Sequence, residues 1–358
     1  MLFGFDAKRA FLNKRGLGNY SRDIIRLMKQ YVPDNYYILF TPQARTDYPD
    51  LLERNRIIQP KGAWRLAPSL WRSGGCIKQL VNLDYYWGLS AELPYGIHRL
   101  KAHKIVTIHD AIFIRYPELY SPTYRALFTR KVQYACDVAD TIIAISEQTK
   151  RDIIDFFHAD KHKIHVLYQG CAPVYKTPDL WNPKRVLDED YLLYVSALEP
   201  RKNLEGLIRS IALAHISLPL VVVGGASAYG NKCFRLAQSL GVRVVHLGSL
   251  TPNQLASVYR DAVLFCYPSF FEGFGIPIVE AMTVGTPVLT STGSCFHETA
   301  GDAATYVDPN SIEDIAHQLQ RLLSDDALRA QMVQAGKTQA QLFTDEHIGN
   351  NLKQLFYA

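Results

Sequence analysis

Two hydrophobic patterns alternate along the chain and predict strands that are each followed by a helix. Short apolar runs such as residues 105–108 and 220–223 have the length and β-branched content of buried strands. Residues 124–139 and 204–215 instead repeat apolar positions about every 3.6 residues, as a helix with one buried face does. Strands that alternate with helices favour parallel sheets covered on both faces. We therefore predict an α/β protein.

Chain length and a proline-containing break divide this pattern into two halves. The chain has 358 residues, which is long for one domain and ordinary for two. Residues 173–183 contain three prolines and little periodicity, as expected of a linker. We therefore predict an N-terminal domain over residues 1–172 and a C-terminal domain over residues 173–344, each a Rossmann-like doubly wound parallel sheet.

Composition and charge exclude several classes of protein. With 48% hydrophobic residues and a net charge of +5, the chain is ordinary for a globular protein and lacks the basic density of a nucleic-acid binder. No apolar run approaches the ~18 residues of a membrane-spanning helix. Six scattered cysteines without a C-x-x-C pair predict free thiols rather than disulfides or zinc ligands. These features favour a cytoplasmic protein, and they leave contact with the inner face of the cell membrane open.

The stretch from Glu272 to Glu280 carries the strongest candidate chemistry. A strand-like run at residues 262–268 precedes it and a helical pattern follows it, while Gly273 and Gly275 allow a ligand close to the backbone. The first N–H groups of a helix lack helical partners, so a phosphate can bind there. Two carboxylates eight positions apart can accept hydrogen bonds from the hydroxyls of a sugar and a ribose. A buried strand–helix unit with ordinary glutamates would show the same spacing.

A second group of candidates lies in the sequence E-P-R-K-N at residues 199–203. Asn203 suits the N-cap of the helix that follows. Arg201 and Lys202 place two cations where the helix dipole favours an anion. This arrangement is reasonable if an anion binds beside them, although a solvated basic pair is the alternative.

Candidates in the first half are fewer. Residues 8–19 are predicted to form a basic, glycine-containing loop between the first strand and a helix that begins at Tyr20. A strand, a glycine loop and a helix in this order are typical of a phosphate-binding turn, but an ordinary tight turn has the same pattern. His109 ends the strand 105–108, at the edge where open α/β sheets bind ligands, but a lone histidine is more often structural. Residues 61–90 are rich in Trp, Tyr and Arg, which suits sugar stacking, prenyl contact, a membrane interface or an amphipathic helix packed on its own sheet.

The string F-E-G-F-G-I-P-I-V-E-A-M at residues 271–282 resembles the donor-binding signature of retaining glycosyltransferases of family 4. The resemblance extends over nearly the whole chain and is most specific at residues 194–210 and 262–293. It implies a GT-B fold, in which two Rossmann-like domains face a cleft and the last helix, here residues 345–358, crosses back onto the first domain. The glycine run G-L-G-N at residues 16–19 departs from the commoner G-[IV]-G-R order of the family.

The resemblance also implies roles for individual residues. Arg201 and Lys202 would grip the donor diphosphate. Glu272 would accept hydrogen bonds from the donor sugar, and His109 would contact the same sugar. Glu280 would accept from the ribose hydroxyls. Further donor contacts are implied for Gly18, Asn19, Gly224, Ser249, Leu250, Phe274, Gly275 and Ile276.

By the same resemblance, the protein is a hexosyltransferase that moves a sugar from a nucleoside diphosphate sugar to a hydroxyl of a growing glycan or lipid-linked oligosaccharide, with retention of configuration. The sequence around His109 and Arg201 is similar to that of mannosyltransferases of bacterial surface polysaccharide assembly. This similarity favours GDP-mannose or a related GDP-sugar as the donor. No metal or other cofactor is expected, because Arg201 and Lys202 compensate the charge of the diphosphate. A non-catalytic nucleotide-sugar-binding subunit, a UDP-sugar-dependent transferase and an epimerase of the same fold are the alternatives.

Overall fold

The chain folds into two compact units. Unit 1 contains Met1–Gln169 together with the chain from Asp345 onward, and unit 2 contains Gly170–Thr344. Each unit has its own hydrophobic core beneath its own sheet. The structure is a computed structural model that describes residues 1–53, 55–182 and 184–357.

The proline-containing segment that we expected to be a linker belongs to unit 2. It forms two short 3₁₀ turns, Pro173–Lys176 and Pro178–Leu180, and the first of them packs against two helices of unit 2. The last residue of the predicted linker, Pro183, lies outside the described residues, as does Ala358 at the end of the predicted C-terminal helix.

Unit 1 is built on a parallel sheet. Its strands are β1 Leu2–Asp6, β2 Tyr36–Phe40, β3 Arg56–Ile58, β4 Tyr85–Gly88, β5 His103–Ile108, β6 Thr141–Ala144 and β7 Ile164–Val166. Within the described part of the chain their order is β3-β2-β1-β4-β5-β6-β7, and each neighbouring pair is parallel. The carboxyl ends of all these strands therefore lie at one edge of the sheet, where the loops that follow β1 and β5 emerge.

Helices cover both faces of this sheet, and polar caps fix where several of them begin. They are α1 Lys8–Leu12, α2 Gly16–Tyr31, α3 Pro49–Glu53, α4 Pro68–Leu70, α5 Ile112–Arg115, α6 Pro122–Val138 and α7 Glu147–Phe157. Ser146 is the N-cap of α7, and its Oγ accepts a hydrogen bond of 2.9 Å from the backbone N–H of Thr149.

Unit 2 repeats the same plan. Its strands are β8 Leu192–Val195, β9 Leu220–Val223, β10 Val244–Gly248, β11 Leu264–Tyr267, β12 Val288–Ser291 and β13 Ala304–Val307. Their order in the described residues is β10-β9-β8-β11-β12-β13, again with parallel neighbours. Because β8 and β11 are adjacent, the loops after them, which contain residues 196–203 and 268–275, emerge side by side.

Helices pack around this sheet, and the one predicted to follow Asn203 begins at Leu204. They are α8 Leu204–Leu213, α9 Ala228–Ser239, α10 Pro252–Arg260, α11 Ile276–Val284, α12 Phe296–Ala300, α13 Ile312–Ser324 and α14 Asp326–Gln339. Asn203 caps α8 from a left-handed conformation with φ +58°, and its Oδ1 accepts from the N–H of Gly206. Thr251 and Gln254 form a reciprocal capping box at the start of α10.

The chain then returns to unit 1 through α15 Asp345–Tyr357. Gly349 lets this helix approach α2 closely, because a Cβ at this position would lie 2.3 Å from the ring of Tyr31. Phe356 packs edge-on against Phe3 and Tyr85 on the sheet, with ring centroids 5.2 and 5.5 Å apart. An ion pair of 2.8 Å between Arg26 and Asp345 joins the start of α15 to α2.

Three details of the sequence interpretation are wrong. Residues 8–19 are not a loop: they contain α1 and the first turn of α2, which begins at Gly16 rather than at Tyr20. The aromatic segment 61–90 does not form one amphipathic helix, since it consists of short turns followed by strand β4. Strand β13 was not expected, because its sequence, A-T-Y-V, is short and only partly apolar.

Two predictions from composition concern the state of the cysteines and the presence of membrane-spanning helices. All six cysteines are free and buried, as the absence of paired spacing predicted. Among the described residues, no helix has both the length and the apolar character needed to cross a bilayer.

Candidate active site

The candidate site in unit 2 lies where the loops after β8 and β11 meet. Lys202 Nζ is 2.5 Å from Glu272 Oε1, and Arg201 Nη1 is 3.0 Å from Glu272 Oε2. Tyr267 donates its hydroxyl to Glu272 Oε1 at 2.8 Å. All three charged side chains are about nine-tenths buried. The structure thus brings Arg201, Lys202 and Glu272, which the sequence separates by some 70 positions, into one cluster.

This environment keeps Glu272 ionised. Burial alone would raise the pKa of the carboxyl group, but the nearby charges of Lys202 and Arg201 outweigh it and lower the pKa to about 2. Glu199 shares the guanidinium of Arg201 through a contact of 2.6 Å to Nη2. A carboxylate has about four acceptor positions, so Glu272 Oε2, with Arg201 as its ion-pair partner, retains capacity for a ligand hydroxyl.

The backbone of Glu272 is fixed as firmly as its side chain. The hydroxyl of Ser294 accepts from the N–H of Glu272 at 3.1 Å and donates to its carbonyl at 2.8 Å. Ser294 adopts a left-handed conformation with φ +48°, which is uncommon for a non-glycine residue. The cluster is therefore preorganised, because neither the position nor the charge of Glu272 depends on a flexible loop.

The start of α11 lies in the same loop as Glu272. Gly275 is its N-cap residue with φ +95°, a conformation that favours glycine, and no side chain caps this end. Ile276 begins the helix, and Pro277 follows with no N–H to satisfy. The peptide N–H groups around Gly275 and Ile276 can therefore bind a phosphate, whose charge the helix dipole favours.

Glu280 belongs to a different and neutral environment on α11. Its Oε2 accepts a hydrogen bond of 3.0 Å from the hydroxyl of Tyr259, and Tyr175 donates a second one. Burial raises the pKa of Glu280 to about 7, although both tyrosine hydroxyls act in the opposite direction. The two glutamates of the E-x₇-E spacing are thus held by different partners, cations for Glu272 and hydroxyls for Glu280.

The remaining candidate residues of unit 2 differ in their burial and in their contacts. A Cβ at Gly224, after β9, would lie 2.1 Å from Ser196 O, so this glycine permits two loops to touch. Ser249 is exposed and Leu250 half-buried in the turn after β10. Phe274 is buried, and its ring packs edge-on against Phe343 with ring centroids 5.4 Å apart, so its side chain is not available to a ligand.

His109 belongs to unit 1, and its hydrogen-bond partner and burial determine the protonation state of its ring. Its Nε2 lies 3.0 Å from the carbonyl oxygen of Leu89, which only accepts, so this nitrogen carries the proton. Burial lowers the pKa of His109 to about 4, and the ring is therefore neutral at pH 7 with Nδ1 as its acceptor. Thr149 donates to the carbonyl of His109 at 3.1 Å, which holds the residue at the end of β5.

Gly18 and Asn19 also belong to unit 1, in the first turns of α2. A Cβ at Gly18 would lie 1.7 Å from the carbonyl oxygen of Asn13, so the glycine is needed for this close contact. Asn19 is exposed, and its Oδ1 accepts from Arg22 at 2.5 Å. Gly18 therefore has a packing reason that the short glycine run did not reveal.

Several residues of the site were missed from the sequence. Tyr267 and Ser294 hold Glu272, while Tyr175 and Tyr259 hold Glu280. None of them lies in a recognisable motif, although Tyr267 ends a predicted strand and could have been suspected for that reason. The hydroxyls of Ser269 and Ser291, at the carboxyl ends of β11 and β12, are buried and have no hydrogen-bond partner among the described residues. Buried hydroxyls without a protein partner are suited to hydrogen-bond a ligand or a water.

Comparisons with known proteins cover nearly the whole chain. The family models described as Glycosyltransferase Family 4 and as Glycosyl transferases group 1 match residues 16–173 and 177–339. Each model corresponds closely to one half of the chain.

Individual relatives agree with these models. O-antigen chain mannosyltransferase B of Escherichia coli is 30% identical over 315 residues, which cover 84% of this chain and 78% of that protein. The serotype-specific mannosyltransferase WbdA of Escherichia coli is 26% identical, and the match covers 67% of this chain but only 31% of WbdA. HepE of Anabaena, solved in complex with UDP and glucose, has the same fold, with a TM-score of 0.76 over 99% of this chain and 98% of that chain at 17% identity. The chain therefore belongs to the family 4, group 1 glycosyltransferases and has their GT-B fold.

Proposed function

We propose that the protein transfers a hexose, with mannose from GDP-mannose or a related GDP-sugar as the first choice, to a hydroxyl of a growing glycan or lipid-linked oligosaccharide in surface polysaccharide biosynthesis. The observation that carries the proposal is the buried cluster of Arg201, Lys202 and Glu272 beside the uncapped start of α11. It combines two cations suited to a diphosphate with a carboxylate suited to sugar hydroxyls. The names of the two mannosyltransferase relatives support the choice of sugar and acceptor.

Donor binding follows from the charges of this cluster. The diphosphate lies against the N–H groups around Gly275 and Ile276, where Arg201 and Lys202 supply charge-assisted hydrogen bonds. Glu272 accepts hydroxyls of the transferred sugar, and Glu280 accepts those of the ribose. The buried hydroxyls of Ser269 and Ser291, without protein partners among the described residues, are further groups that a bound donor or its waters can satisfy.

The reaction needs no separate general base. The bond between the anomeric carbon and the diphosphate oxygen breaks, and negative charge develops on the departing diphosphate, where Arg201 and Lys202 stabilise it. The acceptor oxygen bonds to the anomeric carbon from the same face, and its proton passes to the departing phosphate oxygen. Configuration is thus retained.

Metal independence is part of the proposal. In many phosphate-transfer sites a divalent cation offsets the charge of the leaving group. Here one guanidinium and one ammonium group lie within hydrogen-bond distance of the same carboxylate, and they can move onto a diphosphate without a metal. Transfer measured in excess EDTA is expected to proceed at an unchanged rate, and a lost rate restored by Mg²⁺ or Mn²⁺ would contradict this part of the proposal.

Two alternatives remain for the same site. HepE, which has the same fold, was solved with UDP and glucose, so a UDP-sugar is the second candidate donor. A subunit that binds a nucleotide sugar without turning it over would use the same contacts for binding. A panel of GDP-, UDP- and ADP-sugars, tested first by thermal shift and then for transfer to a lipid-linked or glycan acceptor, separates these cases.

The sharpest test compares nucleotides with and without phosphates. Arg201→Gln is expected to weaken binding of GDP by roughly 10–100-fold, because a charge-assisted contact to a buried phosphate contributes about 1.5–3 kcal/mol. Binding of guanosine, which lacks phosphates, should change little. Isothermal titration of GDP, GMP and guanosine against the wild-type and variant proteins measures both effects, provided that circular dichroism confirms folding.

Arg209→Gln is the matched control. Arg209 lies on α8, is about two-fifths exposed and pairs with Glu205 at 2.8 Å rather than with Glu272. This control should bind GDP as the wild type does. Equal losses for GDP and guanosine in Arg201→Gln, or equal losses of GDP binding in both variants, would contradict the role proposed for Arg201.

A further inference from the structure

Unit 1 exposes large apolar side chains in the first part of the aromatic segment. Leu66 is 91% exposed, Leu70 is 66% exposed and Trp64 is 44% exposed. Trp64 and Leu70 lie in two short turns, Gly62–Arg65 and Pro68–Leu70, and Leu66 directly follows the first of them, so the segment is not one long helix. By contrast, Trp71 lies in the core beneath them. Trp71 therefore fixes the segment to the core of unit 1, while the apolar residues that precede Trp71 are exposed to solvent.

A second stretch extends this surface. The N–H of Tyr95 donates to Ser73 O at 2.7 Å, and Gly96 lies against Ile77. Tyr95 is 46% exposed. The ring of Trp64 packs on Gly75, so closely that a Cβ there would be 2.8 Å away. Residues 61–78 and 95–101 thus form one continuous area, which we call the basic apolar surface.

The charge of this surface is of one sign. The sequence has no aspartate or glutamate between residues 54 and 83 or between residues 93 and 109. Arg72 contributes no external charge, because it is buried in ion pairs with Asp6 and Glu92, each at 2.7 Å. The exposed cations of the basic apolar surface are Lys61, Arg65, Lys78, Arg99 and Lys101.

We propose that the basic apolar surface docks unit 1 onto an anionic lipid bilayer. Exposed leucine and tryptophan side chains enter the boundary between headgroups and acyl chains, where an indole is favoured, and surrounding cations attract anionic headgroups. A sugar-binding platform is less well matched, since sugar hydroxyls call for carboxylate or amide acceptors and no carboxylate lies in either stretch. The inference goes beyond the proposed sugar transfer, because it concerns a surface that needs no donor.

Vesicle binding of the full chain tests the proposal directly. The wild-type protein is mixed, without donor or acceptor, with vesicles of phosphatidylcholine alone or with 30% phosphatidylglycerol as an assay composition, and bound protein is measured by flotation. Binding should require the anionic lipid and weaken as NaCl is raised. Lys61→Gln/Arg65→Gln should reduce the partition coefficient at low salt by about 25-fold, since each cation near an anionic surface contributes about fivefold.

The apolar part of the surface is tested separately. Leu66→Ser/Leu70→Ser should reduce binding by at least about tenfold, because two leucines lose their burial in the lipid. Both side chains are exposed, so thermal unfolding should match that of the wild type. Leu213→Ser and Arg235→Gln, at exposed positions of unit 2, are the matched controls and should bind as the wild type does.

The same experiment can overturn the proposal. Absence of wild-type binding to the anionic vesicles at low salt, equal binding to neutral vesicles, or unchanged binding of both double variants would each do so. Sugar transfer to a water-soluble acceptor should be normal in all four variants, so a failure of membrane docking is distinguishable from a failure of the proposed reaction.

Discussion

At the scale of single residues, Glu272 and Glu280 flank one glycine loop and differ in charge behaviour. Glu272 has Lys202 and Arg201 as partners, and its pKa falls to about 2 despite burial. Glu280 has neutral tyrosine hydroxyls, and burial raises its pKa to about 7. The E-x₇-E spacing could indicate that both carboxylates belong to one site. It could not indicate their charge, because the deciding partners come from distant parts of the chain.

Because Glu272 is ionised in the folded protein, its contribution to the free energy of unfolding should decrease at acidic pH. Its folded pKa lies below the unfolded value of about 4.5, so its contribution is present above that pH and is lost as pH falls toward 2. A shift of this size corresponds to about 3 kcal/mol. Glu272→Gln should therefore lower the free energy of unfolding at pH 7 by about that amount, and the difference from wild type should shrink between pH 5 and pH 2. Urea unfolding at several pH values measures it.

Glu313→Gln serves as the comparison for that experiment, because Glu313 is exposed at the start of α13. Its effect should be small at every pH. A difference between wild type and Glu272→Gln that stays constant down to pH 2 would mean that the variant acts through packing rather than through the charge of Glu272.

Glu280 should instead make donor binding depend on pH near neutrality. Only the ionised carboxylate can accept from both ribose hydroxyls, and the group becomes protonated as pH falls below about 7. The Kd of the donor nucleotide is therefore expected to rise by up to about tenfold per pH unit below pH 7. Glu280→Gln should bind more weakly and without this dependence, as isothermal titration from pH 5.5 to 8 would reveal. A slope in the variant equal to that of wild type would rule out Glu280 as its source.

At the scale of elements, the sequence predicted most strands and helices of both units, because apolar runs and caps are local signals. Asn203 begins its helix as expected. The glycine run at residues 16–19 misled the interpretation, because such a run is typical of a phosphate-binding or tight turn, whereas Gly18 permits a close contact between α2 and the backbone of Asn13. That contact joins the first turn of α2 to Asn13, the C-cap residue of α1, and no periodic pattern reports it.

This contact gives a matched pair of substitutions. Gly18→Ala should lower the free energy of unfolding by roughly 1–3 kcal/mol, since its Cβ would meet the carbonyl oxygen of Asn13 at 1.7 Å. Gly16→Ala has nothing within 4 Å of the added methyl and should be neutral or stabilising by up to about 1 kcal/mol. Urea unfolding of both variants checks the prediction, and equal effects would show that close packing at Gly18 is not what matters.

At the scale of the whole molecule, the chain leaves unit 1 once and returns to it once. The sequence could locate the first crossing through prolines near residue 173, and the structure has it at Gly170. The return through α15 was expected from the family resemblance alone, because the sequence pattern of an amphipathic helix does not show which sheet the helix packs against. Its partners, Phe3 and Tyr85, lie hundreds of positions away in sequence.

The returning helix should stabilise unit 1 selectively. Phe356→Ala removes ring contacts to β1 and β4 and should cost about 2 kcal/mol, less than for a fully buried phenylalanine. Hydrogen exchange is expected to quicken in β1 and β4 while β8 and β11 keep their wild-type rates. Tyr357→Ala, at the exposed neighbouring position, should change neither. Faster exchange confined to unit 2 would contradict the assignment of α15 to unit 1.

The burial of every cysteine has a practical consequence for labelling. Burial raises the pKa of each thiol, to about 12 for Cys76 and Cys136 and to about 11 for Cys171, so little thiolate is available to alkylating reagents in the native protein. A new cysteine introduced by Leu66→Cys would therefore be the fastest-reacting position for a maleimide dye. The native chain can thus carry a site-specific fluorophore without first removing its own thiols.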